Sequence, residues 1–217
     1  MPTKLSFEAK ILLAFLCIFS VLLSTFRILA TDNIRYIFLN WNLFLALIPW
    51  LASSWLKQKI RPAVASTLVI MLWILFFPNS PYILTDLFHL RKNSDMPIWY
   101  DLIMILSYAW TGLMFGFMSL MDIESLAEKW LSKKMIPFAI CILFFITSFG
   151  VYLGRFLRWN SWDIVTNPAS LASDILQQFI EPQHHLRTWG LTLLMGSLLS
   201  LMYFSFKIFT RKSSLPV

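Results

Sequence analysis

Residues 76–90 read FFPNSPYILTDLFHL, Phe76 to Leu90. Here an aliphatic and aromatic run gives way to Pro-Asn-Ser-Pro, and Asp86 and His89 follow inside a frame that is otherwise apolar. The residues upstream, Ala63 to Phe77, carry no charge at all. An uncharged run of this kind is what the hydrocarbon core of a bilayer demands of a crossing segment. The stretch therefore reads as the end of a membrane span, followed by a polar element placed where that span runs out.

The rest of the chain supports this reading. Of 217 residues, 58% are hydrophobic, 17% aromatic and 13% charged. Mean hydropathy is +0.69. Soluble domains carry about 25% charged and about 45–50% apolar residues, so a soluble fold of this size would have more apolar surface than it could bury. The composition implies an integral membrane protein. The net charge of +7 is scattered through short segments between apolar runs. That distribution suits topology and anionic headgroups, and it argues against a nucleic-acid partner, which needs a basic face. Cys17 and Cys141 both fall inside apolar runs and read as packing residues.

A crossing helix needs about 20 mostly apolar residues. About six segments qualify: 11–29, 36–56, 60–77, 102–121, 135–153 and 188–209. Lys4 and Lys10 ahead of the first run resemble a signal peptide, but the run exceeds the usual h-region of about 7–15 residues and Ile28 is wrong for a cleavage site. It reads as an uncleaved span. Only helices satisfy their backbone within such segments. The expectation is an all-α polytopic bundle forming a single membrane domain over 1–217. An outer-face re-entrant or capping segment and an interfacial amphipathic helix complete it.

The loops on one side, with both tails, hold Lys4, Lys10, Lys57, Lys59, Arg61, Lys129, Lys133, Lys134, Lys207, Arg211 and Lys212. The other side holds Arg27, Arg35, Arg91, Lys92, Arg155, Arg158 and Arg187. The bias predicts a multi-pass protein of the cell membrane with both termini in the cytoplasm. Asp122, Glu124 and Glu128 read as part of a solvated inner loop. Outer cations are nearly all arginine, whose planar fork suits carboxylates, phosphates and aromatic faces.

Gly112 and Gly116, and Gly150 and Gly154, are spaced for close helix packing inside the bundle. A homodimer through one of these faces is the alternative use of that spacing. Pro49 predicts a kink in the second span. Asn167 to Pro182 opens on an Asn-Pro cap and repeats apolar residues at Leu171, Ile175 and Phe179, with Leu176 and Ile180 beside them. It reads as an amphipathic helix, lying on the outer membrane surface or packed on the bundle top.

Three polar clusters are expected on the outer face: Pro78 to Asp101, Gly154 to Asp163, and the pair Asn40 and Asn42, which diverge on a helix. Pro78 should end the third helix, and Asn79 should cap backbone nearby beside Tyr82. If the segment is helical, Asp86 and His89 share a face. Together they are the candidate catalytic pair, with the carboxylate orienting the imidazole, or two ligands of a metal. Alternatively Asp86 caps backbone or pairs with Arg91.

Zinc wants three or four ligands, and only sidedness recommends His184 and His185. The residues therefore yield no metal set and identify no cofactor. Asn79, Tyr82, Asp101, Arg155, Arg158, Asn160 and Asp163 are the candidate binding residues. Arg155 and Arg158 can clamp an anion, snorkel beside Trp159 and Trp162, or pair internally with Asp86, Asp101 or Asp163. Asp101 opens the fourth span, where a helix N-terminus favours a carboxylate.

FFPNSPYILTDLFHL, then PIWYD at Pro97–Asp101, then GRFLRWNSWD at Gly154–Asp163, resemble the DUF1361 family of bacterial multi-pass membrane proteins. The resemblance covers roughly the second through the sixth span. It implies the membrane class and no particular reaction. Three functions remain open. One is a site that binds or processes an anionic lipid or a lipid-linked or envelope substrate. Another is a structural, sensor or accessory role in which the polar motifs lock the bundle. The third is a small transporter, which the scarcity of midplane charges disfavours.

Overall fold

A computed structural model describes residues 7–58, 62–90 and 95–212. All its elements are helical, and no strand occurs among the described residues. The expected all-α multi-span fold is therefore what forms. The chain divides into two compact units, Met1–Leu126 and Ala127–Val217.

The first unit contains α1 (Phe7–Thr31), α2 (Phe38–Gln58), α3 (Ala63–Phe76), the short α4 (Asn79–Tyr82), a 3-10 helix (Ile83–His89) and α5 (Ile98–Ala127). The second contains α6 (Met135–Phe156), the single turn α7 (Asp163–Thr166), α8 (Pro168–Ile180), a 3-10 turn (Pro182–His184) and α9 (Leu186–Lys212). Five stretches are long and apolar enough to cross a membrane: Glu8–Thr31, Ala63–His89, Ile98–Ala127, Met135–Phe156 and Leu186–Thr210. The expected second span forms α2, which contains Pro49. It is 21 residues long, but Asn40, Asn42 and three tryptophans dilute its apolar character. The expected start of the third span at Ile60 lies outside the described residues, as do Lys4, Lys59, Arg61, Arg91 and Lys92. The side chains of Arg211 and Lys212 are likewise not described.

One expectation fails at the far end of α5. Residues 122–127 continue that helix instead of forming a loop. Asp122 accepts from Lys57 Nζ at 2.6 Å and from Ser53 Oγ at 3.3 Å, and Glu124 is buried. Asp122 does not sit in a solvated loop, because α2 brings Lys57 to meet it. At 30 residues, α5 is about 45 Å long, well beyond the roughly 30 Å of hydrocarbon it must cross.

Helix α3 ends at Phe76, and Asn79 Nδ2 donates to the Phe76 carbonyl at 3.0 Å, so the proline and its cap act where expected. The chain does not turn away, however. Pro78, Tyr82 and Ile83 keep right-handed helical angles, and the path runs on through α4 and the 3-10 helix. Ser80, Pro81, Ile83, Thr85 and Asp86 are buried in it, so much of the segment's frame is turned into the protein. It packs on α2, where Ser80 Oγ donates to the Ala46 carbonyl at 3.2 Å.

Its seat on α5 is a floor of two glycines. A Cβ at Gly112 would meet Ile83 Cδ1 at 2.7 Å and the Ser80 carbonyl oxygen at 3.1 Å. A Cβ at Gly116 would meet Ser80 Cβ at 2.8 Å. This glycine pair is thus consumed inside the unit, receiving the 76–90 segment. Gly116→Ala should destabilise by about 1–3 kcal/mol through overpacking. Gly190→Ala, whose Cβ would meet nothing within 4 Å, should be neutral or stabilising, since alanine gains about 1 kcal/mol in a helix. Thermal unfolding of the purified variants in detergent measures the contrast.

Candidate functional site

The 3-10 helix delivers Asp86 and His89 to the end of the first unit at which α1 finishes and α2 begins. A 3-10 helix turns every three residues, so side chains three apart eclipse each other. Asp86 Oδ1 and His89 Nδ1 lie 3.9 Å apart, within ion-pair range but longer than a hydrogen bond. The Asp86 side chain is 0% exposed and that of His89 40%. Asn42 Nδ2 donates to Asp86 Oδ2 at 2.8 Å. The imidazole packs 4.8 Å from the Phe38 ring, and the His89 carbonyl accepts from Tyr36 Oη at 3.0 Å. A carboxylate fixed from behind and a half-exposed imidazole in front form an arrangement that can orient a ring for proton transfer or anion contact.

Behind this pair lies a second polar station. Arg27 Nε donates to Asp101 Oδ1 at 2.8 Å, with side-chain exposures of 1% and 0%. The guanidinium carbon sits 4.5 Å over the Tyr36 ring, a cation–π contact. One helical turn down α1, Ser24 Oγ and Tyr108 Oη are 2.7 Å apart. Tyr108 Oη donates to Asn40 Oδ1 at 2.6 Å, and Tyr100 Oη donates to the Leu23 carbonyl at 2.8 Å. The two asparagines of α2 diverge as expected: Asn40 serves α1 and α5, and Asn42 serves the 3-10 helix.

Of the expected binding residues in this unit, Asp101 lies inside the buried ion pair. Asn79 caps the end of α3, and Tyr82 supplies the carbonyl that Thr85 Oγ1 bonds at 2.7 Å. Arg91, the alternative partner for Asp86, lies outside the described residues.

In the second unit, α6 ends with Arg158 in a left-handed conformation at φ 63°. The amides of Leu157 and Trp159 both donate to the Leu153 carbonyl, at 3.1 and 3.2 Å. Few residues other than glycine accept that backbone, and it leaves Arg158 exposed. Asn160 and Asp163 make a local turn. Asp163 Oδ2 accepts from the Asn160 backbone amide at 2.6 Å, and Thr166 Oγ1 donates to Asp163 Oδ1 at 3.0 Å. The amide bond holds the Asp163 carboxyl below the usual aspartate range. Trp159 Nε1 donates to Asp174 of α8 at 2.8 Å. His184 Nδ1 lies 3.1 Å from Glu181 Oε2 at an exposed turn. Among the described residues no three His, Cys, Asp or Glu side chains gather as a set that could hold a metal ion.

The structure thus joins Asn42 to Asp86 and His89, and it gives Asp101 a partner that the motifs do not name. Arg27, Tyr36, Ser24 and Tyr108 belong to this network and were missed as site residues. The available signal was an arginine two residues from the end of a predicted span, with aromatic and carboxylate groups on the same side. Asp101→Ala should cost about 3–5 kcal/mol, because it leaves Arg27 buried without its carboxylate. Replacing both, as Arg27→Met with Asp101→Leu, should recover much of that loss in the same unfolding measurement.

A family profile described as a protein of unknown function, DUF1361, matches residues 41–202. The matched range contains Asn42, Asp86, His89, Asp101 and the whole of α6 to α8. No curated protein and no solved structure matches the chain.

Proposed function

The chain belongs to the DUF1361 family, and on that premise we propose that its first unit carries an outer-face polar site that binds or processes an anionic lipid-linked or envelope substrate. The observation that carries this reading is a fully buried carboxylate, Asp86, set by Asn42 behind a half-exposed imidazole. Ionisable groups at membrane depth are expensive, which makes such a placement a mark of a functional site. With α2 counted as a sixth crossing, the lysine and arginine bias sets the outer side and puts both termini in the cytoplasm.

His89 is the group that touches the substrate, holding an anion as imidazolium or taking a proton from a hydroxyl as a neutral base. Asp86 and Asn42 position it. Asn79, Tyr82 and Asp101 support the segment rather than the ligand. In the second unit Arg155 and Arg158 remain candidates for headgroup contact, with Asn160 and Asp163 shaping the turn that follows them.

A second reading has its own support. Arg27–Asp101 and Ser24–Tyr108–Asn40 are internal pairings, and a purely architectural cluster would look the same there. The two readings part at His89. Purified full-length protein should gain thermal stability from a short polyprenyl phosphate but not from the matching neutral alcohol or from inorganic phosphate. His89→Ala should weaken that binding about tenfold, or 1.4 kcal/mol, with the unliganded midpoint unchanged. No stabilisation by the polyprenyl phosphate, or equal stabilisation of wild type and His89→Ala, would leave the architectural reading.

A further inference from the structure

In the second unit, α8 lies back along the helices that flank it. Leu171 packs with Tyr152 and Leu153 of α6, and Ile175 joins the same cluster. Further along, Gln178 accepts from Thr188 Oγ1 at 2.7 Å and from Trp189 Nε1, through its backbone carbonyl, at 3.2 Å. The Phe179 ring lies 5.6 Å from Phe149 of α6 and 5.0 Å from Trp189 of α9.

These contacts fix the depth of α8. Helix α6 has 22 residues and is about 33 Å long, barely more than the hydrocarbon core of about 30 Å. Its C-terminal end at Phe156 therefore lies close to the membrane boundary. Phe149 is about two turns inside that end, or about 10 Å along the axis. A side chain that meets Phe149 is at the level of lipid, not of bulk water.

The face of α8 turned away from α6 and α9 is apolar. At 100° per residue, Ala172, Leu176, Ala169 and Ile180 occupy about 80° of arc, and Phe179, packed on α6 and α9, lies between them and the buried arc of Leu171, Ile175 and Gln178. Leu176, Phe179 and Ile180 are 58%, 56% and 72% exposed. The remaining arc holds Ser170, Ser173 and Gln177, all exposed, with the half-buried Asp174 at its edge accepting from Trp159. Just before and after α8, Val165 is 79% and Leu186 73% exposed. The expected apolar stripe is thus divided: Leu171, Ile175 and Phe179 pack on the protein, and Leu176 and Ile180 face outward.

We propose that α8 is an interfacial membrane helix whose outward arc, centred on Leu176 and Ile180, is immersed at the boundary between lipid headgroups and acyl chains. It shares the lipid already in contact with α6 and α9, and that continuity selects lipid as its occupant. The depth set by Phe149 agrees with the roughly 5–10 Å to which such helices sink. Exposed Arg158 and Arg187 at the same end of the unit lie at headgroup level. The arc of Ser170, Ser173 and Gln177 faces water.

The test uses full-length protein in lipid nanodiscs, with Cys17 and Cys141 replaced by alanine. Single cysteines at Leu176→Cys, Ile180→Cys and Gln177→Cys carry an environment-sensitive fluorophore. Each variant is first checked for the parent's thermal midpoint. The expected result is that spin labels high on the lipid acyl chains remove most of the emission at 176 and 180, which aqueous iodide leaves intact, with the reverse at 177. Iodide quenching at 176 and 180 equal to that at 177 would overturn the proposal, placing the arc in water. Protection of 176 and 180 from both quenchers would also overturn it, since the arc would then be covered by protein such as a second copy.

Discussion

Arg27 and Asp101 meet at 2.8 Å with almost no exposure, and the first unit is built around the need to keep them together. A bilayer offers no water to either group, so each is tolerable only beside the other. Their pairing sets the register of α1 against α5. A slip of one turn would put Arg27 opposite Ile105, which is itself fully buried, and would strand both charges. Ser24 and Tyr108, one turn down α1, agree with that register and reinforce it. Close packing and hydrogen bonds do this work because lipid gives apolar helices little reason to associate with one another. Asn40 then ties α2 to the same pair of helices. Asn42, on another face of α2, carries the polar contacts outward to Asp86.

The spans were legible because hydrophobic length is a local property, as were the segment at 76–90 and the divergence of Asn40 and Asn42. The Asp86–His89 pairing was legible for a similar reason, since it needs only a helical spacing of three. Arg27 was legible only as a cation for topology. Its partner is 74 residues away in the chain, and nothing local to either residue names the other. The extension of α5 was hidden for the opposite reason. Asp122 and Glu124 resemble solvent-facing loop residues until Lys57 arrives from α2 to pair with the first. In α8 the apolar residues span too wide an arc for periodicity to say which flank is packed. The contact of Phe179 with Phe149 decides that, and it is tertiary. Asn167 illustrates a smaller limit: it does precede a proline at the first turn of α8, yet its side chain makes no capping bond.

Why Pro-Asn-Ser-Pro should end an apolar run can now be answered from geometry. The proline does not reverse the chain. After α4 the backbone tightens into a 3-10 helix of seven residues, longer than the three or four residues such helices usually reach. Its period of three lines up Ile83, Asp86 and His89 in one row. Ile83 rests on Gly112, Asp86 is held by Asn42, and His89 emerges at the rim. An α-helix over the same residues would fall about 60° short of a full turn at each three-residue step and break the row. The absence of a side chain at Gly112 therefore bears on His89 two turns away. It lets Ile83 seat deeply enough for the row to start against α5, and the row's geometry then carries the imidazole to the surface with a carboxylate beneath it.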